Sequence, residues 1–430
     1  MKKVIIKLGF LVLGVLISQF GRLSPSYGYV EPTRAILPQS GVETGLTNPD
    51  LPRRKGIEVG EVVFHSAIST GVIIDPNIYL SNSSEKYDVI TTVEASAGLE
   101  IPIQEHKISL DYLAQQYFFT RYNVNNHFDQ RVRGLLELNF TDYKVTLGDT
   151  YKKYQSLPGT DTTGRTKEDD NSFRVGVIHE TDKFAFDVGY SNLLHRYLRD
   201  DYVFGPVTFR DRNSMLHVAD ITVGYKIFPK TSINLENDFG YSYHTSKNSP
   251  DYYFDDVLIG VKGELLKNLT STLQAGWRFQ DFQDDTVLYD KSASKFIFRG
   301  GIEYKLSDRN IFDLGGERTT NDSTYANNTY YTTNFANLGY THVFTEKLSS
   351  RVFGNYQRNM YPAETTEGAG AGTKTAKRID NSFGAGATLH YDIRRWLSAE
   401  AGYQFKEATS NFDTFAYNDN IFTFKVSAGF

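Results

Sequence analysis

The 430-residue sequence has no cysteine, which excludes disulfides, thiolate metal sites and a lipidated cysteine. Methionine and tryptophan are scarce at three and two residues, against 29 tyrosines and 30 phenylalanines, an odd balance for a helical enzyme. No excess of positive charge is present either. The 46 basic and 51 acidic residues give a net charge of −5, which argues against a nucleic-acid partner. Long apolar runs are also few: with 40% hydrophobic residues and a mean hydropathy of −0.41, the chain lacks the stretches of about 20 apolar residues that helical membrane proteins repeat. What is abundant is Tyr and Phe, residues that suit half-buried pleated surfaces.

Lys2 and Lys3 precede an apolar stretch from Leu8 to Phe20, and Gly21, Pro25, Ser26 and Gly28 follow it. The stretch is too short for a stable anchor, so residues 1–28 are expected to be a cleaved secretory signal. Residues 29–60 carry Pro32, Pro38, Pro49 and Pro52 with the basic cluster Arg53, Arg54 and Lys55 and keep no sustained period. They are expected to form an extended periplasmic N-terminal extension.

From residue 61 to 430 the pattern changes to alternation. Phe422, Phe424, Val426, Ala428 and Phe430 share one face, while Thr423, Lys425, Ser427 and Gly429 share the other. Phe383, Ala385, Ala387, Leu389 and Tyr391 likewise oppose Ser382, Gly384, Gly386, Thr388 and His390. Around residue 300 the same rule holds, with Ile297 as an exception. Period two is that of a strand, and the segments run well beyond the roughly 5 or 6 residues of an ordinary strand. One face suits lipid and the other water. In hydrocarbon every amide needs a partner, so such a sheet must close on itself.

Short polar turns fall near Ile101–Glu105, Phe140–Tyr143, Thr181–Lys183, Phe228–Lys230, Leu265–Asn268, Leu306–Arg309, Phe344–Lys347 and Ile393–Arg395. Longer hydrophilic stretches alternate with them, among them Ser156–Asp169, Arg199–Asp211, Asp281–Asp290 and Pro362–Lys374. This predicts an all-β, transmembrane antiparallel up-and-down β-barrel of about 18 strands (16 to 18), with short periplasmic turns and longer extracellular loops. A barrel of that size has room for an aqueous lumen. A diffusion porin usually folds one long loop inward, and the longest connections here are only about 13 to 15 residues.

With the apolar face outward, the lumen-lining candidates for a transport path are Glu94, Asp111, Arg131, Arg133, Glu137, Arg174, Asp220, Lys262, Arg278, Arg299, Glu303 and Arg351. The two signs are nearly balanced, unlike the single-sign rings of charge-selective channels. Any one of these residues is more simply explained as half of a cross-strand ion pair that stabilises the wall. Together, mixed charges, hydroxyls and the inward Phe353 would make a path for a hydrated polymer. Inward glycines such as Gly98, Gly148, Gly176, Gly189, Gly224, Gly240 and Gly260 would let large neighbours lie along the wall.

Catalytic residues, metal ligands and cofactors are not expected. The nine histidines form no His-Glu-x-x-His pair. The acid pairs Asp169 with Asp170, Asp200 with Asp201, Asp255 with Asp256 and Asp284 with Asp285 fall in or beside the loops, where solvated carboxylates are the plain reading. The run from Gly368 to Thr375 lacks the second glycine of a phosphate loop, because Thr373 stands there.

Two regions resemble a known family. One runs from Tyr87-Asp-Val-Ile through His106-Lys-Ile-Ser-Leu-Asp-Tyr to His127–Phe140, with Arg133-Gly-Leu-Leu-Glu-Leu. The other runs from Asp380-Asn-Ser-Phe-Gly-Ala-Gly through His390-Tyr-Asp-Ile-Arg-Arg-Trp-Leu, Gly402-Tyr-Gln-Phe and Tyr417-Asn-Asp-Asn to Phe430. Both resemble the bacterial outer-membrane barrels called putative beta-barrel porin 2, often linked to exopolysaccharide or capsule export. Lys406, Glu407, Ala408, Thr409 and Ser410 depart from the pattern, since such sequences tend to place Arg before a small residue and Ser.

The resemblance implies an outer-membrane, Gram-negative location and a channel that is not an enzyme. The expected function is the conduit of a polysaccharide secretion system. The alternatives are a passive diffusion porin for small hydrophilic solutes and a structural or adhesive barrel. Expected partners are outer-membrane lipid and lipopolysaccharide, the barrel-assembly machinery, a periplasmic polysaccharide-export protein and the polysaccharide itself. Terminal Phe430, with Phe422 and Phe424, resembles the signal read by the barrel-assembly machinery. Deleting Phe430 should therefore lower the yield of assembled barrel in cells. Unchanged yield, read as heat-modifiable gel mobility of membrane fractions, would remove that role.

Overall fold

The computed structural model describes residues 56–156, 165–198, 202–204, 207–246, 249–283, 292–323, 325, 328–367 and 373–430. The expected signal, most of the expected extension and the glycine-rich run at 368–372 lie outside the described residues. Eighteen long strands carry the fold. They are β1 (Val62–Asp75), β2 (Asp88–Ile103), β3 (His106–Phe119), β4 (His127–Asn139), β5 (Tyr143–Ser156), β6 (Thr166–Glu180), β7 (Phe184–Tyr197), β8 (Ser214–Phe228) and β9 (Thr231–His244), followed by β10 (Tyr252–Leu266), β11 (Leu269–Phe282), β12 (Ser292–Ser307), β13 (Asn310–Asp322), β14 (Tyr330–Thr345), β15 (Leu348–Glu367), β16 (Lys374–Arg394), β17 (Leu397–Ser410) and β18 (Tyr417–Gly429).

Each strand pairs antiparallel with its chain neighbours, and β18 pairs back onto β1 from Ala67↔Gly429 to Ile74↔Phe422. The barrel is thus closed, and no long edge is left unpaired among the described residues. A three-residue strand, Ile57–Val59, turns back onto Val62–Phe64 and extends the pairing below the seam.

All eight expected short turns are present. Six contain two residues, for example Gln104–Glu105 and Lys267–Asn268, and two contain three. Gln104 and Asn268 take positive φ, 55° and 66°, a conformation common in two-residue hairpin loops. Five of these hairpins share a register shift just before the turn, as between Glu264 and Leu266, the mark of a bulge that tightens local twist.

The outward row is apolar and open: Ile259 is 62% exposed, and Leu110, Phe424 and Val352 are likewise exposed. Rings gather on it near the short turns, as in Phe140 with Tyr143 (4.8 Å) and Phe312 with Tyr340 (4.6 Å). A second ring-rich belt lies nearer the long loops, with Trp277 and Phe296 5.5 Å apart. The inward row is polar. Ile297, the exception to the sequence pattern, is buried at the inner surface.

Two expectations are corrected at the long-loop end. Strand pairing runs further than the sequence suggested. Asp169 lies within β6, and Pro362 lies within β15 at a register shift between Met360 and Glu364. Asp169, Asp170 and Asp256 are buried and ion-paired rather than solvated: Asp169 binds Arg196, Asp170 binds His195 and Asp256 binds Arg278. The strands rise past the apolar band, where cross-strand partners can reach these carboxylates. Asp200, Asp201, Asp284 and Asp285 lie outside the described residues. Connections at this end also pack inward, as described below.

The outward assignment of mid-strand Ile259 yields a direct test. Ile259→Arg should cost about 2–4 kcal/mol near the bilayer midplane, read from urea unfolding of the lipid-refolded barrel.

Candidate transport path

The inner wall is organised by ion pairs that reach across an intervening strand. Arg174 on β6 donates to both carboxylate oxygens of Asp220 on β8, at 2.7 and 3.1 Å. Between them runs β7, where Gly189 stands opposite Asp220. A Cβ built on Gly189 would lie 2.4 Å from the Arg174 guanidinium and 2.7 Å from the Asp220 carboxylate, so any other residue would lift the bridge off the wall. The same device recurs across β14. Arg351 on β15 binds Asp313 on β13 at 2.6 and 2.8 Å, over Gly339, whose Cβ would lie 2.3 Å from the guanidinium. At the closure seam, Lys425 of β18 reaches across β1 to Glu94 of β2 (3.0 Å), which also accepts from Gln115 (2.7 Å).

A wider arch spans β9 to β12. Arg299 binds Glu236 and, at 3.2 Å, Asp238, while its Nε donates to Gln274, which itself donates to Glu236. Higher up, Arg278 forks onto Asp256 at 2.7 and 2.8 Å and stacks over the Phe254 ring at 4.4 Å. Forked guanidinium–carboxylate pairs fix geometry as well as charge.

The other predicted residues occupy the same inward row. Glu137 binds Lys144 at 2.5 Å, Asp111 stands opposite Arg133 in register, and Arg131 is two residues along on the same face of β4. Glu303 binds Lys305 (3.2 Å) near the short-turn rim. Lys262 faces inward from β10, between Ser232 and Thr272. The wall therefore offers both charges in flat, neutralised pairs, with amides and hydroxyls between them.

The sequence did not reveal the packing at the long-loop mouth. Ile78, in the β1–β2 connection, is fully buried against inward Ile90 and Phe119. Its carbonyl accepts from the Arg165 Nε (3.0 Å), and burial pushes this guanidinium down from its ordinary value against the pull of Asp75. From the same connection, Tyr79 accepts from Asn125, and Asn82 donates to the Asp413 carbonyl.

On the other side of the seam, Tyr325 and Phe415, from two further connections, pack with Tyr361. Burial raises the Tyr325 phenol, which donates to Glu367 at 2.5 Å. All three rings surround the guanidinium of Arg378, which is 0% exposed and bound to Asp380 at 2.7 Å. A third cluster joins Tyr330 to inward Val218, Tyr252, Phe254 and Phe282. The available signal was the density of tyrosine in stretches expected to be hydrophilic.

A family model described as "Putative beta-barrel porin 2" matches residues 52–430. No curated protein matches the chain. Among solved structures, OccK2 (OpdF) of Pseudomonas aeruginosa in complex with glucuronate is 10% identical with a TM-score of 0.46, covering 86% of this chain and 99% of that one. OccAB3 of Acinetobacter baumannii is 10% identical with a TM-score of 0.44, covering 86% and 100%. The ferric enterobactin receptor PfeA of Pseudomonas aeruginosa is 10% identical with a TM-score of 0.43, covering 85% and 80%.

The arrangement over Gly189 predicts non-additive energetics. Gly189→Leu should destabilise the barrel by about 1–3 kcal/mol through overpacking. In a chain already carrying Arg174→Ala the same change should cost less, by on the order of 1 kcal/mol, in a double-mutant cycle read by denaturant unfolding. At the mouth, Arg378→Ala should loosen the aromatic cluster and raise single-channel conductance in planar bilayers.

Proposed function

The chain belongs to the putative beta-barrel porin 2 family, and from that premise we propose that this porin-like outer-membrane channel is the conduit through which an exopolysaccharide or capsular polymer leaves the cell. The observation that carries this reading is the paired wall. A fixed ring of one sign would hold or repel a charged polymer, whereas neutralised pairs interleaved with amides give a long hydroxyl-rich chain weak, repeated contacts. In this reading Glu94, Asp111, Arg131, Arg133, Glu137, Arg174, Asp220, Lys262, Arg278, Arg299, Glu303 and Arg351 line the path. The packed mouth favours a conduit that opens on demand over a permanently open pore. Motive force comes from elsewhere, and residues 29–60 meet a periplasmic export partner. The inward position of Phe353 on β15, against Gly386, adds an apolar surface on which a sugar ring can rest.

Assembly enters the same reading. Phe422 and Phe424 face outward on β18, and the Phe430 backbone exchanges hydrogen bonds with Ser66 at 2.8 and 3.2 Å. A terminal strand of this kind suits recognition by the barrel-assembly machinery before closure.

Passive diffusion of small hydrophilic solutes is the second reading, favoured by the family's description as porins. Cells lacking the chain should lose surface polysaccharide and regain it when the gene is restored. Normal surface polysaccharide in those cells, together with a large steady conductance of the purified chain, would sink export in favour of diffusion.

A further inference from the structure

The outward faces are apolar at mid-strand and carry charges only towards the long loops, Asp149, Lys153, Lys167, Asp169, Asp255 and Glu407 among them, and arginine stands there at Arg196, Arg318 and Arg358. Arg196 is held in a fork by Asp169 at 2.7 and 2.9 Å. The other two are arranged differently. Arg318 on β13, Asn334 on β14 and Arg358 on β15 are direct partners in register. Continued outward along the same row, the sheet places Phe298 and Ala275 on one side and Asn381 and Thr409 on the other. Two positive charges thus share a row that holds no carboxylate. Glu407 lies one outward position from Thr409 on β17, two strands from Arg358.

The local bonding orients one arm and leaves the other open. The Arg318 Nε donates to the Phe296 carbonyl (3.1 Å), and its Nη1 donates to the Asn334 side chain (2.5 Å). The Arg358 side chain is exposed and makes no hydrogen bond or ion pair among the described residues. Both sit at the belt of rings nearer the long loops. Phe296 and Trp277 meet edge to face beside Arg318, and Tyr356, bonded to Asn381 at 2.8 Å, lies two residues from Arg358. Such rings mark the level of the lipid headgroups. Strands β13 and β15 are two strand spacings apart, roughly 10 Å, and guanidinium forks match phosphate oxygens in geometry and charge.

We propose that Arg318, Asn334 and Arg358 form a binding site on the lipid-facing surface for the phosphate groups of an outer-leaflet glycolipid. The site rests on the outer-membrane reading of the barrel but not on polysaccharide export. Asn334 holds the Arg318 fork in place, and Arg358 closes onto the headgroup from the far side.

The test uses the whole barrel in nanodiscs of phosphatidylcholine doped with bis-phosphorylated lipid A or with its dephosphorylated form, and retained lipid is counted by native mass spectrometry. The phosphorylated lipid should be retained at least about tenfold more than the dephosphorylated one. That preference should vanish in R318Q/R358Q and persist in R196Q. Equal retention of the two lipids, or an unchanged preference in the double variant, overturns the site. Should the double variant fail to fold, R358Q alone carries the test, because that side chain bonds to nothing described in the barrel. Failure of the native chain to enter any bilayer would overturn the membrane reading and the site together, whereas insertion with indifferent lipid retention overturns the site alone.

Discussion

Every peptide group that faces hydrocarbon must find its hydrogen-bond partner inside the protein, and the rest of this structure follows from that demand. An open sheet cannot meet it at its edges. The first and last strands, more than 340 residues apart in the chain, therefore pair along Ala67–Ile74 and Phe422–Gly429. The seam is shorter than its neighbour: thirteen residues of β1 pair with β2, but eight pair with β18, with Phe430 adding its own backbone bonds to Ser66. Extra fastenings gather around it. Lys425 ties β18 to β2 across β1, the Ile57–Val59 strand extends the sheet below, and Asn77 and Asn82 reach across to the Asn418 and Asp413 carbonyls above.

The same closure dictates the chemistry of the inner surface. Once apolar residues are turned outward, the remaining half of each strand must be polar, and its charges need partners that do not crowd the channel. Glycine makes this possible at Gly189 and Gly339. Without a side chain on the middle strand, an arginine can lie flat and reach a carboxylate two strands away, so charge is spent along the wall instead of across the opening. A barrel built this way is rigid where it is polar and leaves its mouth to aromatic packing around Arg378 and Ile78.

Much of the barrel could be read from the chain because period-two alternation and two-residue turns are local signals. The eight short turns, the eighteen strands and the outward face of segments such as Phe422–Phe430 needed no long-range information. Individual pairings did. That Arg174 would choose Asp220 depends on the register of three strands, and nothing in the chain identifies Gly189 as the residue beneath the bridge. The mouth was the least legible part. Its tyrosines lie in stretches whose polar composition reads as solvent-exposed loop, and their burial depends on Phe415 and Tyr361 arriving from segments distant in sequence. The acid pairs misled for a related reason: Asp170 and Asp256 read as wet until strands extending past the apolar band brought His195 and Arg278 against them.

The seam also gives the cell a way to tell a finished molecule from an unfinished one. A polypeptide that stops before β18 cannot supply the residues that face Ala67 to Ile74, and it keeps two ragged margins of bare peptide groups. Such a fragment is sticky and open to proteases, whereas the completed ring presents neither margin. Completeness is thus written into shape, and a surveillance protease needs only to recognise unpaired backbone.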